Sequence, residues 1–307
     1  MKIAVIGSGA MGMVYGAYLS ENHEVIFIDA YQPQVDAIRT NGITVLEKNG
    51  EEALFANGKS YLSGEYREQV DVVVVFVKST FTEIALEENK HLFGENTLVV
   101  TLQNGAGNDR KIAKYVKPEN IIIGTSKHNA VNLGGGKVSH PAIGITTIGS
   151  NQRDNSAVAV IGKMLSESNF EVVVSDDIQR IIWSKLFVNL SVNTLTALTE
   201  TPIGYMIKDQ HAWDFAKRLV YEAVDVAEAD GTYFDRREAL ESVRKVCEDA
   251  GAGYSSMYQD RKKRVKMEID AINGAIVEQA KLYGVPTPYN AIIVDLIHAI
   301  EGAYEFD

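Results

Sequence analysis

A short apolar strand runs directly into a glycine-rich loop at the start of the chain, and this junction constrains the fold most. The strand Lys2–Ile6 is followed by G-x-G-x-x-G, with glycines at positions 7, 9 and 12. The first glycine permits a tight turn, the second lets the backbone approach a pyrophosphate, and the third allows close packing of helix on strand. We therefore predict that a dinucleotide binds at Gly7, Ser8, Gly9, Ala10, Met11 and Gly12.

A second strand, Glu24–Ile28, ends on Asp29, which lies 22 residues after Gly7. An acid about 20 residues into such a unit hydrogen-bonds the ribose 2′-hydroxyl of NAD and repels the 2′-phosphate of NADP. No basic residue follows before Arg39. We therefore predict NAD as the cofactor, with NADP disfavoured. The alternative is that Asp29 only caps a turn before the next helix.

Composition excludes several classes of protein. At 307 residues the chain is long enough for two domains, and 46% apolar with 23% charged residues is ordinary for a globular protein. A net charge of −11 argues against nucleic acid and anionic membranes as partners. The single cysteine, Cys247, cannot form an internal disulfide. We see neither a leader before Met1 nor an apolar run of about 18 residues, so we expect a cytoplasmic protein with no membrane partner.

The first half of the chain alternates strands with helices. Continuous apolar runs are typical of strands buried on both faces of a parallel sheet, and Thr82–Phe93 and Ser156–Glu167 have helical spacing. This alternation predicts an α/β fold, a doubly wound parallel sheet with some antiparallel additions, over residues 1–176. The further strands are Val70–Val77, Thr97–Leu102, Asn120–Gly124, Gly144–Gly149 and Phe170–Val174.

Strand patterns vanish after this point, and long helical segments take over. We therefore predict an all-helical C-terminal domain over residues 177–307, which binds the substrate. Ligands of open α/β sheets bind beyond the carboxyl ends of the strands, so we expect the substrate in a cleft between the sheet and this domain. The predicted helices are Ile178–Thr199, Trp213–Asp230, Arg236–Ala250, Val265–Tyr283 and Tyr289–Ala303.

Polar residues follow three of the predicted strands. They are Lys78, the turn Gln103-Asn104-Gly105, and His128-Asn129-Ala130. A lysine at a strand end can meet a phosphate or ribose, and an asparagine can hydrogen-bond nicotinamide or a substrate oxygen. Ordinary turn chemistry explains each of them equally well, because Asn-Gly is a common turn pair.

The segment Trp183–Asn193 places Lys185, Asn189 and Asn193 at i, i+4 and i+8, along one drifting helical face. Most of their neighbours are apolar, so burying these polar groups is costly unless they find partners. Addition of hydride to a ketone builds an alkoxide, which a nearby ammonium stabilises and protonates. We predict that Lys185 is a general acid with two amides beside it. The alternative is a polar stripe on a half-buried helix.

A second constellation combines Ser256 with Glu268. On one unbroken helix these residues would stand about 18 Å apart, so both can serve one small substrate only if a separate turn carries Ser256. The six histidines are scattered without metal-ligand spacing, and we predict no metal.

Together these motifs resemble the ketopantoate reductase family over essentially the full length. The matching elements are Gly7–Gly12, Gln103-Asn104-Gly105, Gly134–Gly149, Lys185–Asn193, Ser255–Asp260 and Glu268–Gly274.

The resemblance implies a Rossmann domain followed by a helical domain. It implies that Lys185 donates the proton and that Glu268 is a second catalytic residue. It further implies that Asn104, Asn189, Asn193 and Ser256 hold a 2-oxo acid, and that Lys78, Gln103, Asn104, Ala130 and Glu268 lie by the cofactor.

Two departures from the family pattern point to a particular branch. NADPH-using members typically carry an arginine where this chain has Asp29-Ala30, and pantoate-making members often have an asparagine where this chain has Ile203. An apolar Ile203 leaves a substrate hydroxyl without a partner, which favours an apolar tail. These departures predict an NAD-dependent D-2-hydroxyacid dehydrogenase for branched or aromatic tails.

Three alternatives remain open from the sequence. The first is ketopantoate reductase itself, making D-pantoate in pantothenate biosynthesis. The second is a β-hydroxyacid dehydrogenase, which also uses a Lys-x-x-x-Asn helix but has a Ser-Gly-Gly loop that this chain lacks. The third is a non-enzymatic, nucleotide-sensing module. We allow for a homodimer, and the sequence leaves the oligomeric state open.

Overall fold

The computed structural model of the protein describes residues 1–55 and 59–304. It divides into two compact units. The first comprises Met1–Gln103 and Asn108–Ile178, and the second comprises Asn104–Gly107 and Gln179–Asp307. The boundary between Ile178 and Gln179 falls within two residues of the predicted one. The loop Asn104–Gly107 groups with the helical unit, an assignment that no sequence pattern indicated.

An eight-stranded sheet forms the centre of the first unit, in the order β12-β11-β8-β7-β6-β1-β2-β5. Neighbours are parallel except that β11 runs antiparallel to β8, as the predicted antiparallel additions required. The order reverses at β1, so the glycine loop leaves the sheet where open α/β sheets bind ligands. The strands are β1 (Lys2–Ile6), β2 (Glu24–Asp29), β5 (Ser60–Leu62), β6 (Val72–Val75), β7 (Leu98–Thr101), β8 (Ile121–Ser126), β11 (Thr146–Gly149) and β12 (Val172–Val174).

Among the described residues of the first unit, five α-helices accompany the sheet. The predicted segment Ser156–Glu167 forms as expected, with Asn155 accepting a hydrogen bond from the Ala157 N–H as its N-cap. The predicted segment Thr82–Phe93 is shorter than expected, because the α-helix stops at Glu88 and a 3₁₀ turn, Lys90–Leu92, follows. The helices are α1 (Ala10–Leu19), α2 (Gln32–Asn41), α3 (Thr82–Glu88), α4 (Asn108–Ile112) and α5 (Ser156–Glu167).

A second, four-stranded sheet was missed by the sequence analysis. Its order is β4-β3-β10-β9, and its strands are short and partly polar, so they lack the continuous apolar run of a buried strand. It changes the expectation for Asn129-Ala130, which begin an edge strand instead of a loop. The strands are β3 (Ile43–Glu47), β4 (Glu52–Phe55), β9 (Asn129–Gly134) and β10 (Lys137–Ala142).

Helices are the only regular secondary structure among the described residues of the second unit, as predicted. Its core is built from apolar faces spaced at helical period, with Trp183 and Phe187 fully buried at its centre. The helices are α6 (Ile178–Val188), α7 (Thr194–Thr199), α8 (Gln210–Ala229), α9 (Arg236–Ala250), α10 (Ser256–Lys262), α11 (Ala275–Tyr283) and α12 (Pro288–Ala303), with a 3₁₀ turn at Ile203–Ile207.

Two π-helices interrupt the α-helical pattern. The first π-helix, Asn189–Asn193, joins α6 to α7, and the second π-helix, Asp270–Gly274, runs into α11. The predicted helix Val265–Tyr283 therefore begins five residues late. Arg264 adopts a left-handed conformation, with φ +53°, and residues 265–267 have no regular structure.

One helical run is long and apolar enough to be compared with a membrane span, which the sequence analysis did not expect. By length and composition alone, Ile178–Thr199 is long and apolar enough to cross a membrane. In the fold, 61% of its most apolar window is buried within the protein. Burial of this kind is what a core helix shows, and Trp183, Phe187 and Leu190 supply it.

Candidate active site

The glycine loop has the shape that a pyrophosphate requires. Gly7 has φ +94°, and a Cβ built there would lie 2.5 Å from the Val77 backbone nitrogen. A Cβ at Gly12 would overlap the Gly7 carbonyl oxygen, whereas one at Gly9 would meet nothing within 4 Å. The turn is therefore closed on its protein side and open at Gly9. No side chain caps the start of α1, so its backbone N–H groups suit an anion.

Asp29 is tied to this loop. Its Oδ2 accepts hydrogen bonds from the Ser8 backbone N–H at 2.8 Å and the Ser8 hydroxyl at 3.0 Å, while Oδ1 accepts from the Tyr31 N–H at 3.0 Å. Buried Gln34 donates to the Ser8 carbonyl oxygen at 2.9 Å. Sequence reasoning missed Gln34, since a polar residue one turn into an ordinary helix carries no signal. The carboxylate and the loop form one hydrogen-bonded group.

The other predicted cofactor residues of the first unit occupy different settings. Gln103 is fixed, because its Nε2 donates to the Val77 carbonyl oxygen at 2.5 Å and to Thr82 Oγ1 at 2.9 Å. Lys78 is exposed, just before the turn that leads into α3. Ala130 is half-buried on β9 and packs against the core of this unit.

The first π-helix brings Lys185, Asn189 and Asn193 into line. On an α-helix each step of four residues overshoots a full turn by about 40°, so three such residues would drift around the axis. A π-helix is wider and turns less per residue, so the step from Asn189 to Asn193 falls short of a turn and reverses the drift. Asn193 Nδ2 donates a hydrogen bond to Asn189 Oδ1 at 3.3 Å. All three side chains are half-buried.

Glu268 precedes the second π-helix and meets the loop Asn104–Gly107. Asn104 Nδ2 donates to Glu268 Oε2 at 3.3 Å. The next residue, Gly105, has φ +92°, and a Cβ there would overlap the Ala271 carbonyl oxygen. The loop therefore reaches Glu268 only because a glycine allows its backbone to lie against the second π-helix.

Ser256 and Glu268 lie on separate elements, as their joint use requires. Ser256 is exposed at the first position of α10, while its neighbour Ser255 is buried and caps that helix by accepting from the Tyr258 N–H at 3.1 Å. The Ser255 hydroxyl also lies 2.8 Å from Thr196 Oγ1. This contact docks the start of α10 on α7, which directly follows the first π-helix.

Backbone hydrogen bonds hold Ile203 next to the segment that precedes Ser256. Its N–H donates to the Gly253 carbonyl oxygen at 2.8 Å, and the Gly204 N–H donates to the Gly251 carbonyl oxygen at 2.7 Å. Gly253 precedes Ser256 by three residues, which spans at most about 10 Å of chain. Ile203 is half-buried against the core of the second unit.

A histidine pair that joins buried His140 to half-buried His128 was also missed. His128 Nδ1 lies 2.9 Å from His140 Nε2, and His140 Nδ1 lies 3.6 Å from Glu47 Oε2. Burial, and to a smaller extent proximity to His140, lower the pKa of His128 to about 4. In residues 1–55 and 59–304 no group of His, Cys, Asp and Glu could hold a metal ion.

A dinucleotide loop at the reversal point of a doubly wound sheet, with a lysine and two asparagines on a core helix, defines a nicotinamide-dependent oxidoreductase. The family described as "Ketopantoate reductase PanE/ApbA" matches residues 3–153, and "Ketopantoate reductase PanE/ApbA C terminal" matches residues 177–301. The chain therefore belongs to the ketopantoate reductase family.

Individual relatives cover nearly the whole chain. A Lactococcus lactis protein named 2-dehydropantoate 2-reductase is 32% identical, over 98% of each chain. A Streptococcus pyogenes protein of the same name is 29% identical, again over 98% of each. A solved D-mandelate dehydrogenase with NADH and anilino(oxo)acetate is 32% identical, with a TM-score of 0.90 over 99% of this chain and 100% of that one.

Proposed function

We propose that the protein uses NADH to reduce 2-oxo acids with branched or aromatic tails to D-2-hydroxy acids. The observation that carries this proposal is the placement of Lys185, Asn189 and Asn193 at steps of four residues along one core helical run, with Asn193 hydrogen-bonded to Asn189 at 3.3 Å. A half-buried ammonium with two amides beside it suits a ketone oxygen that gains negative charge.

We assign each candidate site residue its own task in the reaction. Bound NADH supplies the hydride, and the loop Gly7–Gly12 with Asp29 would hold it. Lys185 donates its proton to the ketone oxygen as charge builds there. Asn189 and Asn193 orient the substrate by hydrogen bonds, and Ser256 supports its polar end.

Glu268 orients rather than protonates in this scheme. Its carboxylate accepts from the Asn104 amide at 3.3 Å, which fixes how Asn104 presents its remaining polar atoms. We propose that Asn104 then meets the substrate or the nicotinamide side of the cofactor. We therefore propose that Glu268, which the family resemblance counts as catalytic, is a positioning residue that acts through Asn104.

The preference for NADH rests on charge. Asp29 places a carboxylate at the glycine loop, where a 2′-phosphate would be repelled. Arg39 is the first basic residue after it, and its guanidinium is engaged elsewhere: Nη2 pairs with Glu65 at 2.8 Å and Nε donates to the Ser60 carbonyl oxygen at 2.6 Å.

The preference for an apolar tail rests on Ile203, whose position beside the turn before Ser256 makes it a wall of the tail site. The solved D-mandelate dehydrogenase structure with NADH and anilino(oxo)acetate supports an aryl tail and this cofactor. A second candidate, reduction of ketopantoate, is favoured by the names of the Lactococcus and Streptococcus relatives.

A matched pair of substrates separates the two candidates. Ketopantoate and 3,3-dimethyl-2-oxobutanoate differ only by the terminal hydroxyl. We expect kcat/KM with NADH to favour the compound without the hydroxyl by about tenfold, because the buried hydroxyl would lose water without gaining a partner. Phenylglyoxylate extends the series to an aryl tail. If ketopantoate exceeds every apolar analogue, the second candidate replaces the first.

We also propose a cytoplasmic location and a homodimeric assembly. The single cysteine, Cys247, supports the first, because a chain without an internal disulfide suits a reducing compartment. Cell fractionation and light scattering test these two proposals.

A further inference from the structure

We infer that Asn273 is a positioning residue that holds the two π-helices in register, and this inference rests on the proposed function. Asn273 lies in the second π-helix and is fully buried. Its Nδ2 donates to the Leu190 carbonyl oxygen in the first π-helix at 2.9 Å. Leu190 directly follows Asn189, and Asn273 comes five residues after Glu268.

A rigid frame fixes the direction of this amide. Asn273 Nδ2 also donates to Asn290 Oδ1 at 2.9 Å, and Asn290 Nδ2 donates to Glu222 Oε2 at 2.8 Å. The Glu222 carboxylate accepts the Tyr289 and Asn290 N–H groups at the start of α12. A carbonyl at one end and a carboxylate at the other can only accept, so both asparagine amides are locked in one orientation.

The arrangement has a cost that stability alone does not explain. Asn273 Oδ1 is buried and has no hydrogen-bond donor among the described residues. Buried polar groups that are only partly satisfied lower stability compared with apolar residues of similar shape. What the amide provides instead is a directional link between the segment that carries Asn189 and Asn193 and the segment that follows Glu268.

The Leu190 carbonyl offers an internal control. It accepts a second side-chain hydrogen bond, from Thr194 Oγ1 at 2.6 Å. Thr194 is also fully buried, but its bond stays within one helical run and connects no other segment. Thr194→Val and Asn273→Ala therefore each remove one donor from the same oxygen, and only the second removes the link.

The experiment compares these variants in the intact protein. We expect Asn273→Ala to lower kcat about 10- to 100-fold, since displacing reacting groups by a fraction of an ångström to one ångström costs this much. Thr194→Val should keep kcat within about threefold, although both variants should lower the melting temperature. Folded Asn273→Ala with kcat within threefold of wild type overturns the inference. If that variant does not fold, Asn273→Ser takes its place under the same criterion.

A double-mutant cycle with Lys185→Ala adds a measurement that distinguishes positioning from a merely structural role. If Asn273 acts through the Lys185 helix, Asn273→Ala should lower kcat by no more than about threefold in a Lys185→Ala background. An undiminished loss there overturns the inference. The two proposals fail separately: normal kcat in Lys185→Ala refutes the proposed function, whereas an impaired Lys185→Ala with a normal Asn273→Ala refutes only the role of Asn273.

Discussion

The side-chain amide of Asn104 donates a hydrogen bond to the carboxylate of Glu268 across 3.3 Å. The two residues are 164 positions apart in the chain, and both belong to the helical unit. A loop that leaves the central sheet after Gln103 thus contributes to the packing of the helices. The contact depends on Gly105, whose left-handed backbone lets the loop lie against Ala271.

Replacing Gly105 should therefore break this contact. We expect Gly105→Ala to lower kcat/KM about tenfold or more, because the new Cβ would overlap the Ala271 carbonyl oxygen and push Asn104 away from Glu268. Gly231→Ala is the control, since Gly231 has a similar φ of +91° but open space around it. Equal kinetic effects of the two substitutions would contradict this expectation; steady-state assays and melting temperatures measure both.

Cofactor preference should follow the charge of Asp29. In wild type we expect a higher kcat/KM with NADH than with NADPH, and Asp29→Ala should narrow the gap. Asp29→Asn is the sharper variant, because an amide oxygen can still accept from Ser8 while the charge is gone. We expect it to lower the ratio of kcat/KM with NADH to kcat/KM with NADPH about tenfold, which corresponds to ~1.4 kcal/mol. A wild-type preference for NADPH would refute the assignment.

Loss of Lys185 should affect the chemical step. We expect Lys185→Ala to lower kcat by about 10²–10⁴, the usual contribution of a positioned proton donor. NADH affinity, measured by fluorescence titration, should be retained, because the dinucleotide loop is in the first unit. Lys281→Ala, at an exposed lysine paired with Glu278, should leave kcat unchanged. A near-normal kcat in Lys185→Ala would show that the proton comes from elsewhere.

Ile203 should determine selectivity for the substrate tail. We expect Ile203→Asn to shift the kcat/KM ratio toward ketopantoate by about tenfold, because the amide can pair with the terminal hydroxyl that isoleucine leaves unpaired. The ratio of ketopantoate to 3,3-dimethyl-2-oxobutanoate measures the shift. Leu282→Asn, at a leucine that is 73% exposed, should not alter it. An unchanged ratio in Ile203→Asn would remove Ile203 from the tail site.

Stability should fall in mild acid through His128. Burial lowers its pKa to about 4 from the ordinary 6.5, so the unfolded chain takes up a proton first as the pH drops. The contribution of a neutral His128 is fully present above pH 6.5 and is lost as the pH falls toward 4. We expect the chemical-denaturation midpoint to decline over this window in wild type and less steeply in His128→Gln. His211→Gln, at an exposed histidine, should keep the wild-type slope.

Local patterns predicted much of the fold. The continuous apolar strands β6, β7 and β8 pair in parallel as expected, because burial on both faces leaves an unbroken apolar run that the sequence displays directly. The short, partly polar strands β3, β4, β9 and β10 were missed, because pairing with one another defines them more than their composition does.

The sequence by itself determined the glycine loop, Asp29 after β2, and the helical run that carries Lys185, Asn189 and Asn193, since each depends on residue types at fixed local spacing. Only the tertiary structure decided that a π-helix aligns the last two asparagines, that Asn104 meets Glu268, and that Asn273 links the two π-helices. The physical reason is that a π-turn and a long-range hydrogen bond are marginal locally and form where packing from distant segments favours them.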